Sequence, residues 1–176
     1  MTEGAVRPRL RRVVLTGAES TGKSMLAERL AAHFKVPWVP EFARSYADQT
    51  GILTLEDVEP IARGQLAAEE AALAQGHRLV IFDTDLLSTA VYARHYYGSC
   101  PDWLSRTVRH RSGLYLLLGI DVPFTPDPTR GPPERRLELH QRFVEALEAA
   151  GVAWTPIGGS WEERFERAVK AVGNET

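Results

Sequence analysis

Lysine and cysteine are both scarce in this chain. Among 176 residues there is one cysteine, Cys100, so no intramolecular disulfide can form and nothing points to an oxidising compartment. No run of about 18 apolar residues occurs, and the N-terminus lacks the apolar stretch of a signal peptide, so a cytoplasmic protein is expected with no membrane partner. The formal net charge of −2 argues against a general nucleic-acid binder and leaves room only for a local basic patch. Five histidines (His33, His77, His95, His110, His140) show no metal-ligand spacing with Cys100. Ser88 and Ser99 lack the context of a nucleophile elbow, so a hydrolase triad is unsupported. Only three lysines occur, Lys23, Lys35 and Lys170, all other basic side chains being arginines. One of the three falls inside a phosphate-loop pattern.

That pattern is Thr16 to Ser24, "TGAESTGKS", directly after the apolar run Val13-Val14-Leu15. It has the spacing G-x-x-x-x-G-K-[ST], between a strand and a helix as the motif requires. Gly17 and Gly22 let the backbone fold tightly, with N–H groups turned toward phosphate oxygens. The positive end of the following helix adds to the same site. Lys23 is expected to reach the β- and γ-phosphates of a nucleoside triphosphate, and Ser24 to ligate Mg²⁺.

The surrounding sequence reads as strands alternating with helices. Strands are expected at Arg12–Thr16, Val36–Val39, Leu79–Phe82, Leu114–Leu118 and Ala153–Ile157; three of them are nearly continuous apolar runs, as in a parallel sheet covered on both faces. Leu26, Leu30 and Phe34 recur at helical spacing. Thr54 to Asp57 and Ser160 to Glu163 are capping-box starts. Leu86–Tyr97 and Pro101–Arg109 read as further helices, and Pro133 leads into Leu139, Phe143 and Leu147. The expected architecture is α/β, a single domain with a mostly parallel sheet. Residues 1–10 read as a flexible arm.

Three stretches supply partners for the loop. Asp83 ends the strand in "LVIFDTD", where a carboxylate can hold Mg²⁺; Asp85 is either an N-cap or a ligand for substrate hydroxyls. "WVPEFAR" ends the second strand, so Glu41 lies at the same sheet edge and can orient an attacking hydroxyl or take its proton. Arg44, one helical turn on, contacts substrate or phosphate, or simply pairs with Glu41 at the surface. The proline-rich segment of about 121–136 reads as a lid carrying Arg130, Arg135 and Arg136, with Arg130 the preferred finger over the transferring phosphoryl group.

Together "GAESTGKS", "WVPEFARSYA", "IFDTD" with the following "YYG", and "DPTR" before a helix resemble the ribosylnicotinamide kinase domain of NadR-type proteins, in order and over nearly the whole chain. The resemblance implies a P-loop kinase fold with a five-stranded parallel sheet flanked by helices. It implies transfer of the γ-phosphoryl group of Mg-ATP to the ribose 5′-hydroxyl of nicotinamide riboside. Carried over by position, Gly17, Glu19, Ser20, Thr21, Gly22, Lys23, Ser24 and Met25 would serve the nucleotide, and Ser24 and Asp83 the magnesium. Glu41, Arg44 and Asp85 would face the acceptor, Arg130 would belong to the lid, and Trp38 and Tyr96 match the aromatics that sandwich the pyridinium ring. Both rings can equally be core packing.

Two departures stand out. NadR-type regulators carry an adenylyltransferase domain and often a DNA-binding domain; with a dozen residues before its first strand, this sequence is expected to have neither activity. Pro128 occupies a lid position where the family usually has glycine. A deoxynucleoside or nucleotide kinase would share the same phosphate machinery, and an ATP-gated binding protein would share the loop. A homo-oligomer is left open.

Overall fold

The computed structural model describes residues 11–123 and 135–174. Five strands form one parallel sheet: β1 (Arg11–Thr16), β2 (Trp38–Val39), β3 (Leu79–Asp83), β4 (Leu114–Leu118) and β5 (Ala153–Ile157). Their order across the sheet is β2-β3-β1-β4-β5. The chain leaves β1 for the far edge, returns to fill the gap with β3, then crosses to the other side. The carboxyl ends of β1 and β3 therefore meet where the winding reverses, which is where ligands bind in open α/β sheets.

Helices cover both faces, because β1, β3 and β4 have apolar residues pointing both ways. On one face α1 (Lys23–Phe34) and α7 (Trp161–Asn174) bury Val13, Leu15, Ile81, Leu116 and Ile157. On the other, α3 (Val58–Ala74), α4 (Leu86–Tyr97), α5 (Asp102–Thr107) and α6 (Arg136–Ala150) cover Val14, Phe82, Tyr115 and Leu117. A short helix, α2 (Phe42–Thr50), follows β2 and packs on α3. Among the described residues no helix is long and apolar enough to cross a membrane.

The parallel five-stranded sheet is as expected, and the differences are local. The second strand is two residues long rather than four, because Pro37 and Pro40 bracket it and have no N–H to donate. Pro37 serves only as an acceptor, taking the Ile81 N–H at 3.2 Å. The capping box at Thr54 forms with Asp57, but it opens a 3₁₀ turn before α3 starts at Val58. Ser160 and Glu163 make the second box, with Ser160 N–H donating to Glu163 Oε2 at 2.7 Å. The expected helix over Pro101–Arg109 divides into α5 and a 3₁₀ turn, Val108–His110. Residues 1–10 lie outside the described residues, as does 124–134, which includes Arg130 and Pro128.

Candidate active site

The loop between β1 and α1 is shaped by contacts that glycine alone permits. Gly17 has φ +129°, and a Cβ there would lie 2.9 Å from the Leu118 carbonyl. Gly22, φ +85°, has the Trp161 ring against it; a Cβ would come within 2.4 Å of Cζ3. Gly22 is also the N-cap of α1 and, without a side chain, caps nothing. The first-turn N–H groups of α1 are thus aimed into the loop, the arrangement that binds anions.

Two buried arginines hold the loop from behind. Arg164 of α7, 1% exposed, donates from Nη1 to the Thr21 carbonyl at 3.2 Å. Its other nitrogens reach the Gly159 carbonyl at 2.9 Å and the Gly119 carbonyl at 3.1 Å, and it pairs with Asp121. Arg136, at the start of α6, donates to the Ser20 carbonyl at 3.4 Å and to that of Val122 at 3.1 Å. The Tyr92 hydroxyl donates to the Gly17 carbonyl at 3.0 Å. A trans peptide carries its C=O and N–H in opposite directions, so the Ser20 and Thr21 carbonyls, held by the two arginines, turn the N–H groups that follow them the other way. Sequence reasoning had favoured Arg130 over Arg136 and had not singled out Arg164 or Tyr92. No local pattern marks them, since their roles depend on which elements meet.

Inside the loop Lys23 is buried, its ammonium donating to the Gly17 and Ala18 carbonyls at 3.0 and 2.9 Å. Ser24 donates its hydroxyl to Asp83 Oδ2 at 2.5 Å. Asp83 is 1% exposed, and its Oδ1 has no hydrogen-bond partner among the described residues. A hydroxyl and a carboxylate in contact, with one buried carboxylate oxygen unsatisfied, fit a hard oxygen-seeking cation such as Mg²⁺. Ser24 and Asp83, picked for the metal from sequence, are brought together.

Glu41 follows β2, whose Val39 pairs with Phe82 of β3, so it stands one strand across from Asp83. The strand β3 lies between β2 and β1, the strand that leads into the phosphate loop. The position of Glu41 is fixed by the next residue: the Phe42 N–H donates to Gln65 Oε1 of α3 at 3.0 Å. Arg44 is exposed on α2, and Met25 is exposed on α1 beside Trp161.

Asp85 is fully buried as the N-cap of α4, Oδ1 taking the Leu87 N–H at 2.9 Å. Its Oδ2 takes the Tyr115 hydroxyl at 2.6 Å and lies 3.5 Å from both Arg12 and Arg111. Of the two readings of Asp85, the cap is the one present. Glu69 joins this interior cluster, 2.9 Å from Arg12, and also pairs with Arg111. Burial first, then the charge of Asp85, push the Glu69 carboxyl up to about 7, against the pull of Arg111 and Arg12.

The two candidate aromatics do not come together. Trp38 packs into the cluster under α1, so core packing is what the structure gives it. Tyr96 stands on α4, on the opposite face of the sheet, where its hydroxyl donates to Glu19 of the phosphate loop. The Arg135 guanidinium sits 5.7 Å from the Tyr96 ring centre.

A family model described as an AAA domain matches residues 12–164. The trifunctional NAD biosynthesis/regulator protein NadR of Escherichia coli (strain K12) is 27% identical over 173 residues, covering 93% of this chain and 42% of that protein. Its counterpart in Salmonella typhimurium is 26% identical with the same coverage. The chain thus spans less than half the length of these relatives. A crystal structure of NadR protein in complex with NR aligns with a TM-score of 0.75 at 24% identity, covering 94% of this chain and 49% of that one. NadR protein in complex with NAD and AMP-PNP gives 0.72 at 25% identity, with the same coverage. Thymidylate kinase from Ehrlichia chaffeensis gives 0.69 at 14% identity, covering 96% and 100%.

Proposed function

From the premise that this chain belongs to the AAA domain family of P-loop proteins, we propose that it is an ATP-dependent kinase that phosphorylates a hydroxyl of a nucleoside-like molecule, with the 5′-hydroxyl of nicotinamide riboside as acceptor. The observation that carries this reading is the Ser24–Asp83 pair with its unsatisfied carboxylate oxygen, set one strand from Glu41. A nucleotide-gated switch needs the first part but not an acceptor-side carboxylate. The likeness to NadR proteins, known in complex with NR and with NAD and AMP-PNP, supports the choice of acceptor and donor.

The chemistry divides among the residues as follows. The inward N–H groups of the loop and Lys23 hold the β- and γ-phosphates. Ser24 and Asp83 would hold Mg²⁺, which would supply positive charge against that of the transferring phosphoryl group. Glu41 orients the acceptor hydroxyl in line with the γ-phosphorus. The acceptor oxygen forms the new P–O bond, the bond to the β,γ-bridging oxygen breaks with its electron pair leaving on ADP, and the hydroxyl proton passes to the Glu41 carboxylate. The transition state is loose, so orientation contributes more than early deprotonation. Arg130 and Arg136 are the candidate arginines for charge on the moving phosphoryl group.

The test is ADP release with Mg-ATP, alone and with single nucleosides including nicotinamide riboside. The expected result is stimulation by nicotinamide riboside, abolished in Lys23→Ala and reduced by roughly 10²-fold or more in Glu41→Gln. Stimulation by a deoxynucleoside instead would move the acceptor and keep the mechanism. ATP binding without acceptor-dependent turnover would overturn the kinase reading.

A further inference from the structure

We propose that Gln65, with Gly64 beside it on α3, is a positioning residue for Glu41: itself buried, it clamps the backbone that carries the acceptor-side carboxylate. This rests on the kinase reading above and specifies what holds its acceptor side in place.

The clamp answers a problem set by where Glu41 stands. Glu41 is the N-cap of α2, with φ −63° and ψ 114°, and its carboxylate makes no cap hydrogen bond on that helix. The first N–H groups of a helix have no partner within it, and short polar N-cap side chains usually satisfy some of them. Here the orphan nearest to Glu41 is taken by another helix, the Phe42 N–H donating to Gln65 Oε1 at 3.0 Å. On the other side, Pro40 has its φ fixed by its ring. Glu41 is therefore held between a stiff residue and a bound amide.

The helix α3 receives Phe42 at two points. Gly64 lies under the ring, where a Cβ would come within 2.2 Å of Cε1 and Cζ. Glycine inside a helix is less stable than alanine, so α3 gives up helical stability to let that ring approach. One turn along α2 the Tyr46 ring, 6.3 Å from that of Phe42, donates its hydroxyl to Asp57 Oδ1 at 3.0 Å, just ahead of α3. Gln65 is 2% exposed, and its Nε2 lies 3.5 Å from Glu69 Oε1. An ionised carboxylate can only accept, so Glu69 draws the NH₂ end of the amide and leaves Oε1 for Phe42. Glu69 is in turn pinned by Arg12 and Arg111. The grip on the residue after Glu41 is thus anchored in the buried ionic cluster.

The experiment is a double-mutant cycle on acceptor-dependent ADP release with Mg-ATP and the nucleoside that stimulates it, nicotinamide riboside first. It is run at about pH 8, where Glu69 is ionised. Gln65→Met keeps the bulk of the side chain and removes the acceptor. It is expected to lower kcat by roughly 10- to 100-fold, the scale of a misplaced catalytic group, with KM for ATP level. Combined with Glu41→Gln it should be no slower than Glu41→Gln alone, because a residue that acts only through Glu41 has nothing left to position. Gly64→Ala favours α3 but displaces the Phe42 ring, so it should lower kcat in the same non-additive way. It carries the cycle if Gln65→Met does not fold. Losses that multiply in the double variants, or a KM for ATP that rises with each single change, would make Gln65 a general structural residue and overturn the proposal. Unchanged kcat in both single variants would overturn it as well. An unaltered protein that turns over no nucleoside sinks the kinase reading and this proposal with it; turnover with multiplying losses sinks this proposal alone.

Discussion

Arg164 sets the shape of a loop it barely neighbours in sequence. Its guanidinium serves the carbonyls of Gly119, Gly159 and Thr21 and pairs with Asp121, tying β4, β5 and α7 to the phosphate loop. Planar, five-donor geometry is what this requires, so lysine would not replace it. Arg164→Met keeps the apolar stem but strands three carbonyls. We expect a loss of about 2–3 kcal/mol and a fall in Tm of roughly 4–12 °C by calorimetry, with KM for ATP rising more than kcat falls. Asp121 limits the damage, because it is half exposed and water can take over its charge. Residues of this kind were illegible in the sequence: Arg164 lies in "WEERFER", where the capping box is plain but nothing distinguishes one arginine from the next. Lys23, Ser24 and Asp83 were legible, because a fixed spacing or a strand end names them.

At the scale of elements, α3 and α4 are joined through their ends rather than their apolar faces alone. Glu69 of α3 accepts the Leu86 N–H at the start of α4 at 3.3 Å and lies 3.5 Å from Gln65 Nε2; Gln65 in turn holds the backbone beside Glu41. Glu69 thereby couples both carboxylate-bearing strand ends to one helix. Its carboxyl titrates at about 7 in the folded protein against an ordinary value of 4.5. Over that window the folded chain binds more protons than the unfolded one, so this group's contribution favours folding below about pH 4.5 and is lost as pH rises through about 7. Calorimetry at steps from about pH 5 to 7.5 should show the Tm of the unaltered protein falling relative to that of Glu69→Gln as pH rises, while His95 and His140, held below the ordinary histidine value by burial, add the opposite slope to both proteins. Helix starts and the central strands were readable from capping boxes and apolar runs. The buried cluster was not, because no local pattern ties Arg12, at the start of a strand, to Glu69 on a distant helix, whereas its guanidinium reaches over the Phe82 ring to Glu69 and Ser112.

For the molecule as a whole, the strand order converts five short apolar runs into one sheet whose reversal point carries the loop and Asp83, with Glu41 one strand further out. The class of fold followed from alternation of strand and helix patterns, and the phosphate site from one motif in its required context. The proposed acceptor side was less legible because its candidate residues are scattered over β2, α2 and α4; Trp38 and Tyr96, paired on sequence, lie on opposite sides of the sheet. The same assembly has an optical consequence. Of four tryptophans, Trp161 is the one classed as exposed, at 49%, with its ring against Gly22 and a guanidinium 5.5 Å from its centre. A nucleotide settling into the loop must change the polarity around that indole. Titration with Mg-ATP should therefore alter the intensity or wavelength of tryptophan emission, and Trp161→Phe should silence most of the signal, giving the protein a built-in lamp at the doorway of its phosphate site.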